Sequence, residues 1–170
     1  DSDDSLKLFD KKNRIFKIDF KKNNIDENHY LLNLKGNFQI KNNEVHDMTL
    51  DSSFPNKKIV SITMRSKNKK KVTTFYSDLA KPFVKKYKFI KGFEQGKLDF
   101  YSVKENKISN SQLKIYDFRL KELPALTKLL SLASLQGIAD IMTGEGIRFN
   151  EFEMNFNNNN KLMTIDEIYA

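Results

Sequence analysis

Alternation of apolar and polar side chains at period two, sustained over long runs with only short polar breaks, is what most restricts the folds open to this chain. From residue 14 onward, Phe16, Ile18 and Phe20 fall on one side and Lys17 and Asp19 on the other. That is the pattern of a half-buried strand, because successive side chains of a strand point to opposite faces. A polar loop, KKNNIDEN (residues 21–28), follows. The clearest strand is HYLLNLKGNFQIK (29–41): Tyr30, Leu32, Leu34, Phe38 and Ile40 share one face with Gly36, and Leu31, Asn33, Lys35, Asn37 and Gln39 share the wetter one. Asn42 and Asn43 suit a tight hairpin, since Asn tolerates positive φ. The next strand, 44–54, aligns His46, Met48, Leu50 and Phe54. Beyond Pro55 and Asn56, residues 57–66 align Val60, Ile62 and Met64; a lysine-rich turn at 67–70 leads to a short return strand at 71–76. Long strands joined by short polar turns, with no helix between them, predict an antiparallel meander over 14–76 and not βαβ units.

The second half keeps this character with interruptions. Ser77 or Asp78 can cap a short helix over 77–88 that buries Leu79, Phe83, Val84 and Tyr87, with Pro82 tolerated near its start. Strands resume over 89–120. Residues 89–93 and 98–103 read as a hairpin through Glu94, Gln95 and Gly96, followed by a long strand over 107–120. In that strand Leu113 and Ile115 share one face while Tyr116, Phe118 and Leu120 share the other, which calls for a bulge or for burial on both faces. Ile147 and Phe149 against Phe152, Met154 and Phe156 show the same change of parity within the final strand region, 147–170. A turn is expected at 157–160, then a strand aligning Met163, Ile165 and Tyr169; residues 1–13 read as a frayed, flexible end.

One segment departs from period two. LPALTKLLSLASLQGIADIMTGEGIRF (123–149) spaces Leu126, Leu129, Leu130, Ala133, Leu135, Ile138, Ile141 and Met142 as a helix does. Pro124 fits the first helical turn and Gly144 or Gly146 the end, so a long amphipathic helix is expected over 123–143. Leu129, Leu130, Leu135 and Ile138 are assigned to structure, as a cap on the sheet. Such a helix cannot cover the apolar side of about nine or ten strands. Either the sheet curls on itself or something else fills it. On pattern alone the sheet is expected to curl and close with the helices into an ordinary core. With the resemblance given below, the expected fold is mainly β: a single segment with a curved antiparallel sheet, groove-like or partly closed, one long amphipathic helix and one short helix.

Composition narrows function mainly by exclusion. The 170 residues include no Cys, which removes disulfides and thiolate metal sites. Ser131, Ser134, Gln136 and Asp140 interrupt the apolar run in the helical segment, so no membrane span is expected in this stretch. Of the net charge of +8, nearly all lies in residues 1–85, with 18 Lys and Arg against 11 Asp and Glu. No nucleophile elbow, phosphate-binding glycine loop, dinucleotide fingerprint or zinc-ligand spacing is present. His29 and His46, the only histidines, are not at ligand spacing. Asp166 with Glu167, and Glu151 with Glu153, alternate with apolar residues and read as solvated strand faces. No enzyme, cofactor or metal is expected. The lysines at 67–71 suit a solubilising hairpin tip first, and an anionic membrane or nucleic acid second. With four arginines and no Trp, a base-stacking platform is poorly supplied.

The order DFRL (117–120), Pro124, LLSLASLQGI (129–138), GEGIRF (144–149) and then a strand resembles the C-terminal region of AsmA-like proteins of the YhdP-type branch. The likeness extends upstream through FYSDLAKPFVKKYKFIKGFEQGKLDFYSV (75–103) and covers roughly the second half of the chain. The resemblance implies part of a long periplasmic protein anchored in the bacterial inner membrane, the anchor lying outside this segment. It implies a non-enzymatic β-groove that offers phospholipid acyl chains a path between inner and outer membranes. Tyr30, Leu32, Leu34, Phe38, Met48, Leu50, Val60, Ile62 and Met64 are the candidate groove-lining or core-facing residues, with head groups left in water near Lys35, Lys57 or Arg65. A structural or interaction module in envelope or outer-membrane protein assembly, with other envelope proteins as partners, is the first alternative. A basic module for anionic membrane or nucleic acid is the second, nucleic acid not being expected.

Overall fold

The computed structural model describes residues 13–84, 92–121, 146–159 and 162–170. Nine strands form one sheet in chain order, every neighbouring pair antiparallel: β1 (Arg14–Asn24), β2 (Tyr30–Lys41), β3 (Glu44–Ser53), β4 (Ile59–Lys67), β5 (Lys70–Ser77), β6 (Phe93–Glu105), β7 (Ile108–Leu120), β8 (Ile147–Asn158) and β9 (Met163–Tyr169). The sheet is a meander and is not closed; β1 and β9 are its two edges. The one helix among the described residues, α1 (Lys81–Val84), lies between β5 and β6. The predicted helix over 123–143, with Leu129, Leu130, Leu135 and Ile138, lies outside the described residues.

The hairpin turns follow the sequence closely. Asn42 and Asn43 have φ of 50° and 61°, and Asn68 and Lys69 have 51° and 63°. Both are two-residue turns with both central residues in the left-handed φ region, a type whose twist matches that of right-twisted strands. Elsewhere the structure corrects the expected boundaries. β1 continues to Asn24 through what read as a polar loop, pairing Lys22 with Leu32 and Asn24 with Tyr30. Edge-strand pairing needs only backbone groups, so polar side chains on both sides do not stop it. Glu94, Gln95 and Gly96 form no hairpin: β6 runs unbroken through them. The short helix covers only Lys81–Val84 of the expected 77–88, and residues 85–88 lie outside the described ones. Ser77 is the buried last residue of β5, its hydroxyl bonded to the Leu79 backbone at 2.9 and 3.2 Å.

A line of backbone distortions crosses β6 and β7, and β8 follows their change of facing. Gln95 and Gly96 have φ of 65° and 80°, and Asp117, on the facing strand, has 52°. Register is the same on either side, Gln95 opposite Phe118 and Lys97 opposite Tyr116, so no residue is inserted. The strands instead reverse their facing together. Phe93 and Leu98, Ile115 and Phe118, and Ile147 and Phe152 are pairs three or five residues apart, yet all belong to one buried cluster. The parity change read in the sequence at 115–118 and 149–152 has this cause. Gly96 is required here: a Cβ on it would lie 3.0 Å from Phe118 Cβ and 3.2 Å from Phe93 Cζ. Phe93, Phe118 and Phe149 stack over the distortion with centroids 5.2 and 5.0 Å apart. The α1 segment docks beside them, Ala80 N–H donating to Gly96 O at 2.7 Å.

Two further irregularities move residues between faces. In β2, Leu32 pairs with Ser53 and Lys35 with Asp51, so one residue is extra, and Asn33 takes φ of 53° to absorb it. Leu31 is consequently the buried residue, 7% exposed and packed with Phe54 and Val60. This reverses the expected facing of Tyr30 and Leu32, which follow the opposite alternation. In β9, Asp166 is extra between Ile165 and Glu167, so Ile168, not Tyr169, aligns with Ile165.

Candidate functional site

With these registers, the faces resolve into continuous cross-strand rows. Ile18, Gly36, Leu50, Ile62, Phe75, Phe100, Leu113, Met154 and Ile168 stand opposite one another in turn, one from each of the nine strands. The row contains no polar side chain. One residue along, on the other face, stand Asp19, Lys35, Asp51, Ser61, Tyr76, Asp99, Lys114, Glu153 and Tyr169. Opposite neighbours on one face of a sheet are close enough to interact, so a uniform row gives a continuous apolar strip on one side and a hydrated one on the other.

A second apolar row beside the first is broken in the middle. Phe16, Phe38, Met48 and Met64 face one another on β1–β4, Thr73, Ser102 and Ser111 follow on β5–β7, and Phe156 and Ile165 end it. The Ser102 and Ser111 hydroxyls bond each other at 2.9 Å, which satisfies them where they sit. At the other end of the strip Phe83 closes over the sheet, edge-on to Phe75 at 4.8 Å and to Phe54 at 6.5 Å. The strip between is half-buried, and its β1 margin, with Phe16 and Phe20, is exposed.

The structure brings together Leu34, Phe38, Met48, Leu50, Val60, Ile62 and Met64 of the nine candidates. Val60 is buried under α1 with Leu31 and Phe54; the others line the strip. Tyr30 and Leu32 are not among them: Tyr30 lies beneath the Lys22 ammonium, 4.2 Å from its ring centre. Phe75, Phe100, Leu113, Met154 and Ile168 carry the strip onto later strands. Their signal was alternation carried across each turn, not within one strand. The proposed head-group residues are elsewhere. Lys35 is on the hydrated face, 3.9 Å from Asp19, and Arg65 donates to Met48 O, Met64 O and Thr49 Oγ1 at 2.9–3.1 Å.

The polar face is cross-linked in ways that occupy its titratable groups. Glu151 and Glu153 converge on Lys114 Nζ at 3.3 and 2.7 Å, and Lys114 holds the Glu153 carboxyl below its ordinary range. His29 and His46 each pair with an adjacent carboxylate, Asp26 and Asp47, at 2.9 and 2.8 Å. No group of three metal-ligating side chains occurs among the described residues, nor any helix long and apolar enough to cross a membrane.

Tyr76 Oη donates to Asp78 Oδ1 at 2.6 Å, while Asp78 Oδ2 accepts the Ile59 N–H at 2.9 Å. The bond to Asp78, reinforced by burial, pushes the Tyr76 phenol up to about 12. A raised pKa favours the fold fully below the unfolded value, ~10, and that contribution is lost as pH climbs to about 12. In an alkaline titration followed by phenolate absorbance, one of the six tyrosines should ionise last, and Tyr76→Phe should remove that step. Six tyrosines ionising together near pH ~10 in the folded protein would refute the assignment.

Comparison with protein-family models, with curated proteins and with solved structures gives no match to this chain.

Proposed function

We propose that this chain is a non-enzymatic segment of an intermembrane lipid bridge of the AsmA-like kind, its apolar strip holding phospholipid acyl chains in the periplasm. The observation that carries the reading is the unbroken apolar row through nine strands, backed by a polar face, on a sheet that does not close. Acyl chains need no recognising group; burying each methylene contributes ~0.8 kcal/mol. Rows that run across strands, not along them, offer a path with no polar step from β1 to β9. The reading requires the sheet to curve around that path, since a flat face would leave tails in water. Arrival, passage and release then require only exchange along the strip, and no residue acts as acid, base or nucleophile.

The test is lipid carriage by the purified chain. The wild type should carry phospholipid extracted from bacterial membranes. Met48→Asp should lower occupancy by at least about tenfold, because an unpaired carboxylate costs several kcal/mol to desolvate. Asn37→Asp, on the hydrated face one residue from Phe38, should change little. A folded Met48→Asp variant with full occupancy would contradict the reading.

A second reading, an interaction module in envelope assembly, is favoured by the edges. Ile15, Phe16 and Phe20 on β1 and Met163, Ile165 and Tyr169 on β9 are exposed. Edge strands, with one side's backbone groups outside the ladder and apolar side chains exposed, are the usual template for adding a partner's strand.

A further inference from the structure

The β3–β4 ladder ends at Met48 opposite Met64, although β3 begins at Glu44 and β4 runs to Lys67. The cause lies one strand away. Gln39 pairs with Asp47 but Ile40 with Val45, so His46 is a bulged residue and the β2–β3 hairpin tip leaves the plane of the ladder to β4. Between this tip and that of β4–β5 is a cavity of about 610 Å³. Side chains replace the missing ladder at its base. Asp47 Oδ1 accepts the Ser66 N–H at 3.0 Å, and Ser66 Oγ donates to His46 O at 2.5 Å.

Lys41, Lys67, Lys69, Lys70 and Lys71 line this cavity, with Glu44 the one carboxylate among its lining residues. Lys71 lies 3.7 Å from Glu44 and Lys70 3.3 Å from Glu105. Lys41, Lys67 and Lys69 have no carboxylate within ion-pair distance among the described residues. Three uncompensated ammonium groups around one cavity repel each other, and an anion relieves that. Lys69 adds an independent sign. It occupies the second left-handed position of its turn at φ 63°, where Gly is the favoured residue and a long side chain is disfavoured. Backbone strain of this kind concentrates where a side chain is needed for binding.

We propose that this cleft holds the phosphate of an anionic phospholipid head group while its tails lie on the adjoining Phe38, Met48 and Met64 row; the tail placement rests on the groove reading above. The spacing fits: Ser66 and Lys71 are two residues beyond Met64 and Thr73, roughly 7 Å along the strands, about the distance from a glycerophosphate to the first tail methylenes. Lysines suit the task as compact charges that follow a mobile phosphate without fixing its orientation.

The experiment is flotation of the chain with phosphatidylcholine vesicles containing phosphatidylglycerol. Four proteins are compared: wild type, K41Q/K67Q, K69G, and K17Q/K21Q on exposed β1 as an equal-charge control. Capture should fall by about fivefold per lysine for the cleft pair and by less than about twofold for the control: Lys17 pairs with Asn37, four residues from Lys41, roughly 13 Å along the strand against a screening length of ~8–10 Å. K69G should bind more weakly yet melt no lower than wild type, because Gly relieves the turn. Equal losses in the two pairs would overturn the proposal in favour of diffuse charge. Displacement by millimolar inorganic phosphate regardless of vesicle composition would assign the cleft to a soluble phosphate. A single-stranded oligonucleotide that binds more tightly through the same lysines would assign it to nucleic acid. A photoreactive group at Phe38 separates the two readings: adducts with lipid but no effect of the cleft pair overturn the cleft alone, whereas cleft dependence without adducts keeps the head-group site and sinks the groove.

Discussion

Phe118→Ala is expected to lower the free energy of unfolding by about 3–5 kcal/mol, the range for removing a buried aromatic side chain when its surroundings cannot collapse. Phe118 is 2% exposed and lies between Phe93 and Phe149, parallel to both within 14° and 9°. Collapse is blocked on the backbone side as well. Gly96 and Asp117 are locked in left-handed conformations beneath the stack, and Ala80 is bonded to Gly96 O. The loss should appear as an earlier urea midpoint with unchanged slope. Phe118→Leu, which keeps most of the volume, should cost clearly less. A Phe118→Ala variant within about 1 kcal/mol of wild type would mean that the line of distortion is held by something other than this stack.

Gly36→Val sets two effects against each other. Val is the better strand former, and propensity alone would favour it by up to ~1 kcal/mol. Gly36, however, is the one residue in the nine-strand row without a side chain, and neighbours fill the space: a Cβ there would meet Leu50 Cδ2 and lie 2.7 Å from Thr49 O. Leu50 can turn away; a backbone carbonyl in the β2–β3 ladder cannot. Overpacking of this kind costs about 1–3 kcal/mol, so the net effect is destabilising, with amide protection falling first in β1, β2 and β3. A variant more stable than wild type would show that propensity decides and that Leu50 does not seat on Gly36.

What alternation could reveal, it did: the order of strands in 14–76, the two Asn-containing turns and the apolar facing of Met48, Leu50, Ile62 and Met64 are all legible residue by residue. The failures occur where the backbone leaves the regular strand. Leu31 and Leu32 are equally apolar, and only the extra residue at Asn33 decides which is buried. An Asn in mid-strand is the available sign, since it tolerates the left-handed conformation. Gln95 and Gly96 read as a hairpin because positive φ is commonest in turns; here the same conformation reverses the facing of a continuous strand. At 149–152 the facing changes with no such residue, carried by pairing to β7. The lysines at 67–71 were legible as a basic hairpin tip with an anionic membrane as a second reading, but the cleft they form with Lys41 was not, because it arises from a bulge at His46 that separates two hairpins.

The most direct test of the groove is a photoreactive residue at Phe38 and, separately, at Asn37, in the chain incubated with phospholipid vesicles. Phe38 shares its row with Met48 and Met64, whereas the exposed Asn37 shares the opposite face with Thr49 and Thr63. Phospholipid adducts at Phe38 and none at Asn37 are the predicted result. Adducts confined to the chain itself at Phe38, or lipid captured equally at both positions, would contradict a lipid-holding apolar face.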